Sequence, residues 1–590
     1  MDDKYGRWNL GDLIAAAAGE QLDPAILYLE QAVARLESYR SHLSPEISTE
    51  SFLQTLAAYE TMISLQRRLA AYAFLRFAED TQDQAALNLQ NRVNQLLANS
   101  ENRVVFFELW FKALTAESAA RLMAASGDRR YFLDSWRRFK PFTLTEPEER
   151  VITLKDVNGI DALVTLYEMI TSAFTFSLEL DGERKTLTQA EVSSLVRHPS
   201  PEVRAAAYRE LYRVYTEHGA VLAQIYNHRV RDWHAEMLEL RHFAQPISAR
   251  NTMNDIPDPV VQTLLAVCRD NVHVFQRYFR IKAKWLGQDR LRRYDVYAPL
   301  APAEKRFSLA QALDVVLDSF RGFSPLIEEQ ARRVLDQGQL DAQPRQNKRG
   351  GAFCYSALPD LTPWVLTNFT GRGRDVATLA HELGHAIHAM LAEGHSVLTY
   401  DSSAPLAETA SVFGEMLLSE RLLAGESDAA MRRELLVSML DDAYATVQRQ
   451  AYMTLFECDA HRLVAEGKTA EDLAAHYRGN LAEQFGAAVE VSDEFQWEWT
   501  LIPHIYSMPF YTYAYSFGQL LVMALFQRYR LEGASFKPKY LKILSYGGSA
   551  SPATILAEAG VDISSAPFWQ GGFDLIASWI DQLEEGDAAG

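Results

Sequence analysis

The sequence predicts a mainly α-helical protein, and three observations carry that expectation. Amphipathic runs occupy residues 25 to 140, with apolar side chains recurring at three- and four-residue steps. Helical patterning resumes near residue 200 and continues to the C-terminus. The main β-rich interruption, "RGGAFCYSALPDLTPWVLTNFTG" from about residue 349 to 370, has Gly, Pro and Asp turns around two short β-prone runs. That small sheet stands directly before a histidine-rich helix.

Along the chain, "PAILYLEQAVARLESYRSHL" and "AALNLQNRVNQLLANSENRVVFFELWFKAL" read as helices, with breaks expected at Pro24, Pro45 and near Gly127. Their many aromatics are expected to pack between helices. "FTFSLELDGERKTLTQ" then predicts a strand, a turn at Asp181-Gly182 and a helix capped near Thr188. Pro199 and Pro201 mark an expected boundary near residue 200, dividing a region 1–200 from a region 201–590. Neither region shows a fixed-period repeat or a low-complexity tract.

At 590 residues the chain exceeds one modest core, so more than one domain is expected. Apolar residues at 48% and charged residues at 23% match folded globular usage and exclude disordered and fibrous classes. A net charge of -19 argues against nucleic acid as a partner, because a phosphate backbone needs a basic face. Cys268, Cys354 and Cys458 lie far apart, form no disulfide or zinc-thiolate pattern, and fit a reducing compartment. The N-terminus starts acidic with only the short apolar run "LIAAAAG", unlike a secretory leader. No apolar run approaches the ~18–20 residues that cross a bilayer. A cytoplasmic protein without membrane contact is expected.

The chemistry concentrates in "LAHELGHAIHAMLAEGH", which begins at Leu379 and holds four of the fourteen histidines. Residues 375 to 391 predict a helix, with Asp375 in the first turn and Gly394 beyond the end. At about 100° per residue, His381 and His385 lie within about 40° of each other and about 6 Å apart along the axis, so their rings converge on one ion. This is the H-E-x-x-H arrangement, in which two neutral imidazoles bind zinc and the glutamate, here Glu382, activates water. Glu382 lies about 60° from His385, where it reaches that water without ligating the metal. His388 returns to within about 20° of the His381 face but about 10.5 Å along the axis, too far for an ion whose bonds measure about 2.0–2.2 Å. It is expected to line or pack beside the site, and His395 has no metal role.

The third ligand must come from another element. H-E-x-x-H-x-x-G-x-x-H is excluded, because positions 388 and 391 hold His and Leu. Downstream, "SSAPLAETASVFGEMLLSERLLAG" predicts a second helix with Ser403 as cap, Pro405 in the first turn and Gly425 beyond the end. Glu408 and Glu415 lie seven residues apart on one face of it. Glu408 is the expected third ligand, and Glu415 is expected to orient a ligating histidine and fix its tautomer.

On these motifs the sequence resembles the oligoendopeptidase F family of thimet oligopeptidase-like zinc metallopeptidases. The resemblance rests on "RGGAFCY", "FTGRGRDVATLAHELGHAIH", "PLAETASVFGE", "IPHIYSMPFYTYAYSFGQ" and "YLKILSYGGSASPATILAEAGVDISSAPFW", and extends to the opening "RWNLGDL". It implies a large ellipsoidal, mainly α oligopeptidase fold, with a small β-sheet beside the H-E-x-x-H helix and a deep channel for short unfolded peptides. Residues 1–200 would form one wall of the channel and 201–590 the zinc peptidase domain. One Zn2+ per chain would be held by His381, His385 and Glu408, with Glu382 as base. Gly350, Gly351, Ala352 and Phe353 would form the strand that meets the substrate backbone, since glycines admit a second backbone and an exposed edge pairs with an extended peptide. His504 and Tyr515, then Tyr511, would be the counterparts of the family's histidine and tyrosines that donate hydrogen bonds to the developing oxyanion, although the tyrosine spacing differs from that of thimet oligopeptidase. For Tyr513, packing on a helix is the competing reading.

The expected function is therefore a zinc-dependent oligoendopeptidase acting on internal bonds of short peptides. A carboxypeptidase or dipeptidyl carboxypeptidase on the same zinc site would need a fixed cation for the terminal carboxylate, and no unambiguous candidate stands out. A non-catalytic peptide-binding protein is the third alternative, and the intact Glu382 argues against it.

Overall fold

The computed structural model describes residues 5–14, 22–180, 182–300 and 305–588, most of them helical. Contacts divide the chain into two compact units of three stretches each. The first comprises Met1–Lys140, Glu304–Ala424 and Tyr529–Val561, and the second Pro141–Ala303, Gly425–Arg528 and Asp562–Gly590. The expected division at 200/201 falls inside the second unit, between the short turn Leu195–Arg197 and a helix that begins at Pro201. Prolines there end one element and start the next, a local event, whereas a unit's extent is set by which surfaces bury one another.

In the first unit, helices Leu22–Ser38, Thr49–Glu79 and Gln84–Ala113 pack through a core that includes Leu29, Val33, Met62, Leu69, Val93 and Val104. Ser48 and Asp83 start the second and third by accepting the backbone N–H groups of Ser51 and of Ala85 and Ala86. Pro24 does not break a helix as the sequence suggested. It sits in the first turn of Leu22–Ser38, where a missing N–H costs nothing.

The site rests on a three-stranded sheet in the order Leu340–Asp341, Trp364–Leu366, Phe353–Tyr355. The central strand runs parallel to the first and antiparallel to the last, with Cys354 opposite Val365. Both β-prone runs of the sequence are there, and Phe353–Tyr355 is an edge strand. The indole of Trp8 donates to the Val365 carbonyl at 2.9 Å and that of Trp364 to the Asn9 carbonyl at 3.1 Å. The opening "RWNLGDL" thereby fastens to the sheet. Lys348, just upstream of the edge strand, is buried and donates to Asp341 Oδ1 at 2.8 Å and to the carbonyls of Asp341, Gln343 and Thr367. Asp341 is fully buried and also pairs with Arg345 at 2.7 Å.

The second unit is built on the 33-residue helix Pro201–Trp233, capped by the Ser200 hydroxyl. Phe176–Leu180 and Glu183–Leu187 form an antiparallel hairpin with Gly182 at a φ of 79°. Asp181 of the expected turn lies outside the described residues. The helix Gln189–Ser194 starts, as expected, with Thr188 in a reciprocal cap with Glu191. Among the described residues no helix is long and apolar enough to cross a membrane.

The buried Asp341–Lys348 pair carries a testable consequence. Asp341→Ala leaves the Lys348 ammonium in the interior among neutral carbonyls and is expected to lower unfolding free energy by about 3–5 kcal/mol in urea titration. A loss below about 1 kcal/mol would contradict the pair's role in anchoring the edge strand.

Candidate metal centre

The site begins with two helices that touch backbone to backbone. The histidine helix spans Gly373–Leu391, and Asp375 starts it by accepting the Thr370 and Arg372 N–H groups at 2.6 and 3.1 Å. The glutamate helix spans Thr409–Gly425. A Cβ on Gly384 would lie 2.6 Å from Ser411 Cα and 2.7 Å from the Ala410 carbonyl oxygen. One on Gly414 would lie 3.1 Å from the Ala380 carbonyl oxygen. Ala380 and Gly384 on one helix, and Ala410 and Gly414 on the other, are each four residues apart and so share a face. The crossing admits only small residues.

That approach brings three donor atoms together. His381 Nε2 and His385 Nε2 lie 3.2 Å apart, and Glu408 Oε2 lies 3.4 Å from the first and 3.5 Å from the second. A tetrahedral ion with bonds of about 2.0–2.1 Å has ligand atoms about 3.3–3.4 Å apart. Two imidazole nitrogens and one carboxylate oxygen at these separations fit zinc, with the fourth position of the tetrahedron left to water or substrate. Among the described residues this is the one such group of three or more.

The remaining groups fix the ligands. His381 Nδ1 donates to Glu415 Oε1 at 2.6 Å, so Nε2 is the nitrogen that offers a lone pair once the ring gives up its second proton. Glu408 is not within a helix that runs from Ser403, as the sequence suggested. A short turn, Ala404–Leu406, precedes it and the helix starts at Thr409, so Glu408 sits at the joint. Here the Ala407 carbonyl turns toward the imidazoles of both His385 and His388. The Ser411 hydroxyl donates to Glu408 Oε2 at 2.7 Å. Ser403 makes no side-chain cap, and Gly425 is the last helical residue rather than one beyond it. His388 is buried, lines the cleft and reaches the stretch that carries Glu408, a use that spacing alone did not reveal.

Glu382 is buried beside the ligands, and the Cys354 N–H of the edge strand hydrogen-bonds its carboxylate. Burial, and then the nearby Glu408 and Glu415 charges, push its pKa up to about 7, against His381 and the Cys354 bond. Burial also pulls His385 and His388 down to about 4, so both rings are neutral near pH 7. His381 behaves oppositely. Burial lowers it, but the Glu415 hydrogen bond and the three surrounding carboxylates raise it to about 9. The cluster carries more negative charge than its single imidazolium balances, which favours a divalent cation.

The ligands open on a cleft of about 410 Å³, lined also by Ala352, Phe353, Cys354, Tyr400, Asp401 and Ser402. Gly351 holds a φ of 79°, and a Cβ on Gly350 or Gly351 would meet nothing within 4 Å. Asn368 holds this loop by donating to the Arg349 and Gly351 carbonyls at 3.0 and 2.9 Å.

The sequence profile of peptidase family M3 matches residues 194–575, well over half of the chain. The chain belongs to peptidase family M3. It is a metalloendopeptidase of that family. Group B oligopeptidase PepB of Streptococcus agalactiae is 26% identical to it, over 99% of this chain and 97% of the relative. Oligopeptidase PepF of Bacillus subtilis is 24% identical, over 98% and 87%. The fold matches a Chlamydophila abortus crystal structure with a TM-score of 0.89 at 23% identity, over 99% and 98% of the two chains. It matches oligoendopeptidase-F from Enterococcus faecium at 0.71 and 22% identity, over 96% and 99%.

The other predicted residues fall as follows. His504, Tyr511 and Tyr515 cluster in the second unit, whereas the candidate ligands His381, His385 and Glu408 belong to the first. The Tyr515 hydroxyl lies 3.3 Å from His504 Nε2, and the Tyr511 ring lies parallel to the imidazole at 5.8 Å. Tyr513 is fully buried and bonds Asn254. His395 bonds Asp128 at 2.6 Å and the Ser545 carbonyl at 2.8 Å, and so ties down a loop rather than a metal. Sequence reasoning missed Gly384 and Gly414. It also missed Gly547 and Gly548, which abut the Tyr400 and Asp401 carbonyls of the cleft wall, the Gly548 N–H donating to the Thr399 carbonyl at 2.8 Å. Glycines spaced to match the small residues of a second helix were the available signal.

Two measurements check this geometry. Gly384→Ala is expected to destabilise the fold by about 1–3 kcal/mol and to weaken zinc binding, while Gly394→Ala, whose Cβ would meet nothing, changes neither. Equal behaviour of the two variants in thermal melting and metal titration would contradict the crossing. At pH 7 the metal-free His381 lies below its pKa of about 9 and is protonated, and ligation needs that lone pair. Zinc titration by calorimetry in buffers of different ionisation enthalpy is therefore expected to show release of about one proton, fading as pH rises through 9. No release at pH 7 would contradict it.

Proposed function

We propose that this peptidase is a zinc-dependent oligoendopeptidase that hydrolyses internal bonds of short, unfolded peptides. The observation that carries the reading is the triangle of His381, His385 and Glu408 donor atoms, with edges of 3.2–3.5 Å, beside the buried Glu382. His381, His385 and Glu408 would hold one Zn2+, with Glu415 orienting His381. When bound, zinc would lower the pKa of water to about 7 and polarise the scissile carbonyl. Glu382, held by the Cys354 N–H, takes the proton from the attacking water and later gives it to the leaving nitrogen. Gly350, Gly351, Ala352 and Phe353 lead into an edge strand, which suits main-chain pairing with an extended substrate. His504, Tyr515 and Tyr511 are assigned to hydrogen-bond the oxyanion as it develops.

The names of the relatives support action on oligopeptides. An exopeptidase needs a cation to hold a terminal carboxylate, and the cleft lining includes no Lys or Arg among the described residues. Arg67, near the rim, is committed to Asp401 at 2.6 Å. The three unpaired cysteines and the net charge of -19 suit the cytoplasm and a peptide rather than a nucleic-acid partner.

Two assays test the reading. Glu382→Gln is expected to bind zinc as the wild type does and to lose about 10²–10⁴-fold in kcat. Normal turnover by this variant would sink the mechanism. Peptides blocked at both ends are expected to be cut internally, with products identified by mass spectrometry. Cleavage only of free-ended peptides, one or two residues from an end, would replace the proposal with an exopeptidase.

A further inference from the structure

In the second unit, the short helix His504–Ser507 and the helix beginning at Tyr513 are joined through Phe510. Phe510 holds a φ of 58°, in the left-handed region that a bulky side chain rarely adopts. Such a conformation persists where its surroundings over-determine it. The surroundings act on a single peptide group. The Phe510 N–H donates to Glu457 Oε1 at 2.8 Å, and the Pro509 carbonyl accepts from Arg250 Nε at 3.0 Å. These are the two ends of one planar unit and point in opposite directions. A flip of that plane would exchange N–H for carbonyl and break both bonds at once.

Packing alone does not account for an acid at position 457. Glu457 is fully buried on the helix Arg449–Ala465, where a carboxyl group weakens a fold unless a partner holds it. The helices that carry these two residues, Pro246–Asn254 and Arg449–Ala465, grip the segment again just beyond. Thr454, one turn before Glu457, shares a hydrogen bond with Thr512 at 2.8 Å. Asn254, one turn after Arg250, donates to the Tyr513 hydroxyl at 2.8 Å. Tyr511 lies between these held residues, its ring parallel to His504 and edge-on to Tyr515 at 5.3 Å.

We infer that Arg250 and Glu457 are positioning residues: together they fix the Pro509–Phe510 peptide plane and so aim Tyr511 alongside His504 and Tyr515. The inference rests on the donor role proposed above for those three side chains.

The test uses the full-length, zinc-loaded enzyme. Glu457→Leu and Arg250→Leu, which strike opposite ends of the same peptide group, are each expected to lower kcat by about 10–100-fold with KM changed less than about threefold. Glu457→Gln keeps an acceptor and is expected to recover most of kcat. In a Tyr511→Phe background the effect of Glu457→Leu is expected to shrink, because the hydroxyl that the clamp aims is gone. Zinc content and melting temperature are measured for every variant. Should Glu457→Leu not fold, Glu457→Gln and Arg250→Leu decide. Wild-type kcat in Arg250→Leu, or a Glu457→Leu loss that simply adds to that of Tyr511→Phe, overturns the inference. If Tyr511→Phe, Tyr515→Phe and His504→Ala all keep full kcat, the donor reading itself fails. If they lose kcat while the clamp variants do not, only the positioning fails.

Discussion

Two helices can lie backbone to backbone only where neither presents a side chain, and the metal centre depends on that contact between Gly384 and the Ala410–Ser411 turn. Imidazole nitrogens one helical turn apart define a line rather than a site. The third donor has to arrive from a different element at a separation set to tenths of an ångström. Glu408 reaches His381 and His385 because the glutamate helix comes in over Gly384, and Glu415 reaches Nδ1 of His381 because the same helix continues past Ala380 over Gly414. One crossing thus places both the ligand and the group that orients a ligand.

The electrostatics follow from the same closeness. Glu382, Glu408 and Glu415 share a partly buried space with His381, and burial together with mutual repulsion holds Glu382 near 7. A cation reverses that logic, since it favours the deprotonated form of every group around it. The edge strand contributes the Cys354 N–H to Glu382, and its sheet is anchored by the Lys348–Asp341 pair and the Trp8 and Trp364 indoles. Glu382, the proposed base, is therefore held by an element whose own stability lies in an ion pair and an N-terminal segment remote in sequence.

Much of this was legible in the sequence, for a physical reason. Helical periodicity is local, so the histidine helix and the facing of His381, His385 and Glu382 follow from about 100° per residue. The exclusion of His388 as a ligand follows from rise along the axis, by the same arithmetic. Glu408 could be chosen because it lies on the next framed helical segment downstream of the histidines, where Glu415 shares its face. What was not legible is contact between elements. The joint at Glu408 depends on the Ala407 carbonyl turning to two imidazoles, and no spacing rule encodes that. The unit limits depend on which distant stretches bury one another, which a local proline signal does not report. The tilt of Phe510 into left-handed space carries no signature, because its causes, Arg250 and Glu457, lie far away in the chain.

The central claim is that one zinc ion sits on His381, His385 and Glu408. X-ray absorption at the zinc edge of the loaded protein tests it most directly. The expected spectrum shows one zinc per chain with nitrogen and oxygen neighbours at about 2.0–2.2 Å, two of them imidazoles, and loses a light-atom ligand in Glu408→Ala. A sulfur neighbour at about 2.3 Å, or a spectrum unchanged by Glu408→Ala, would contradict the account.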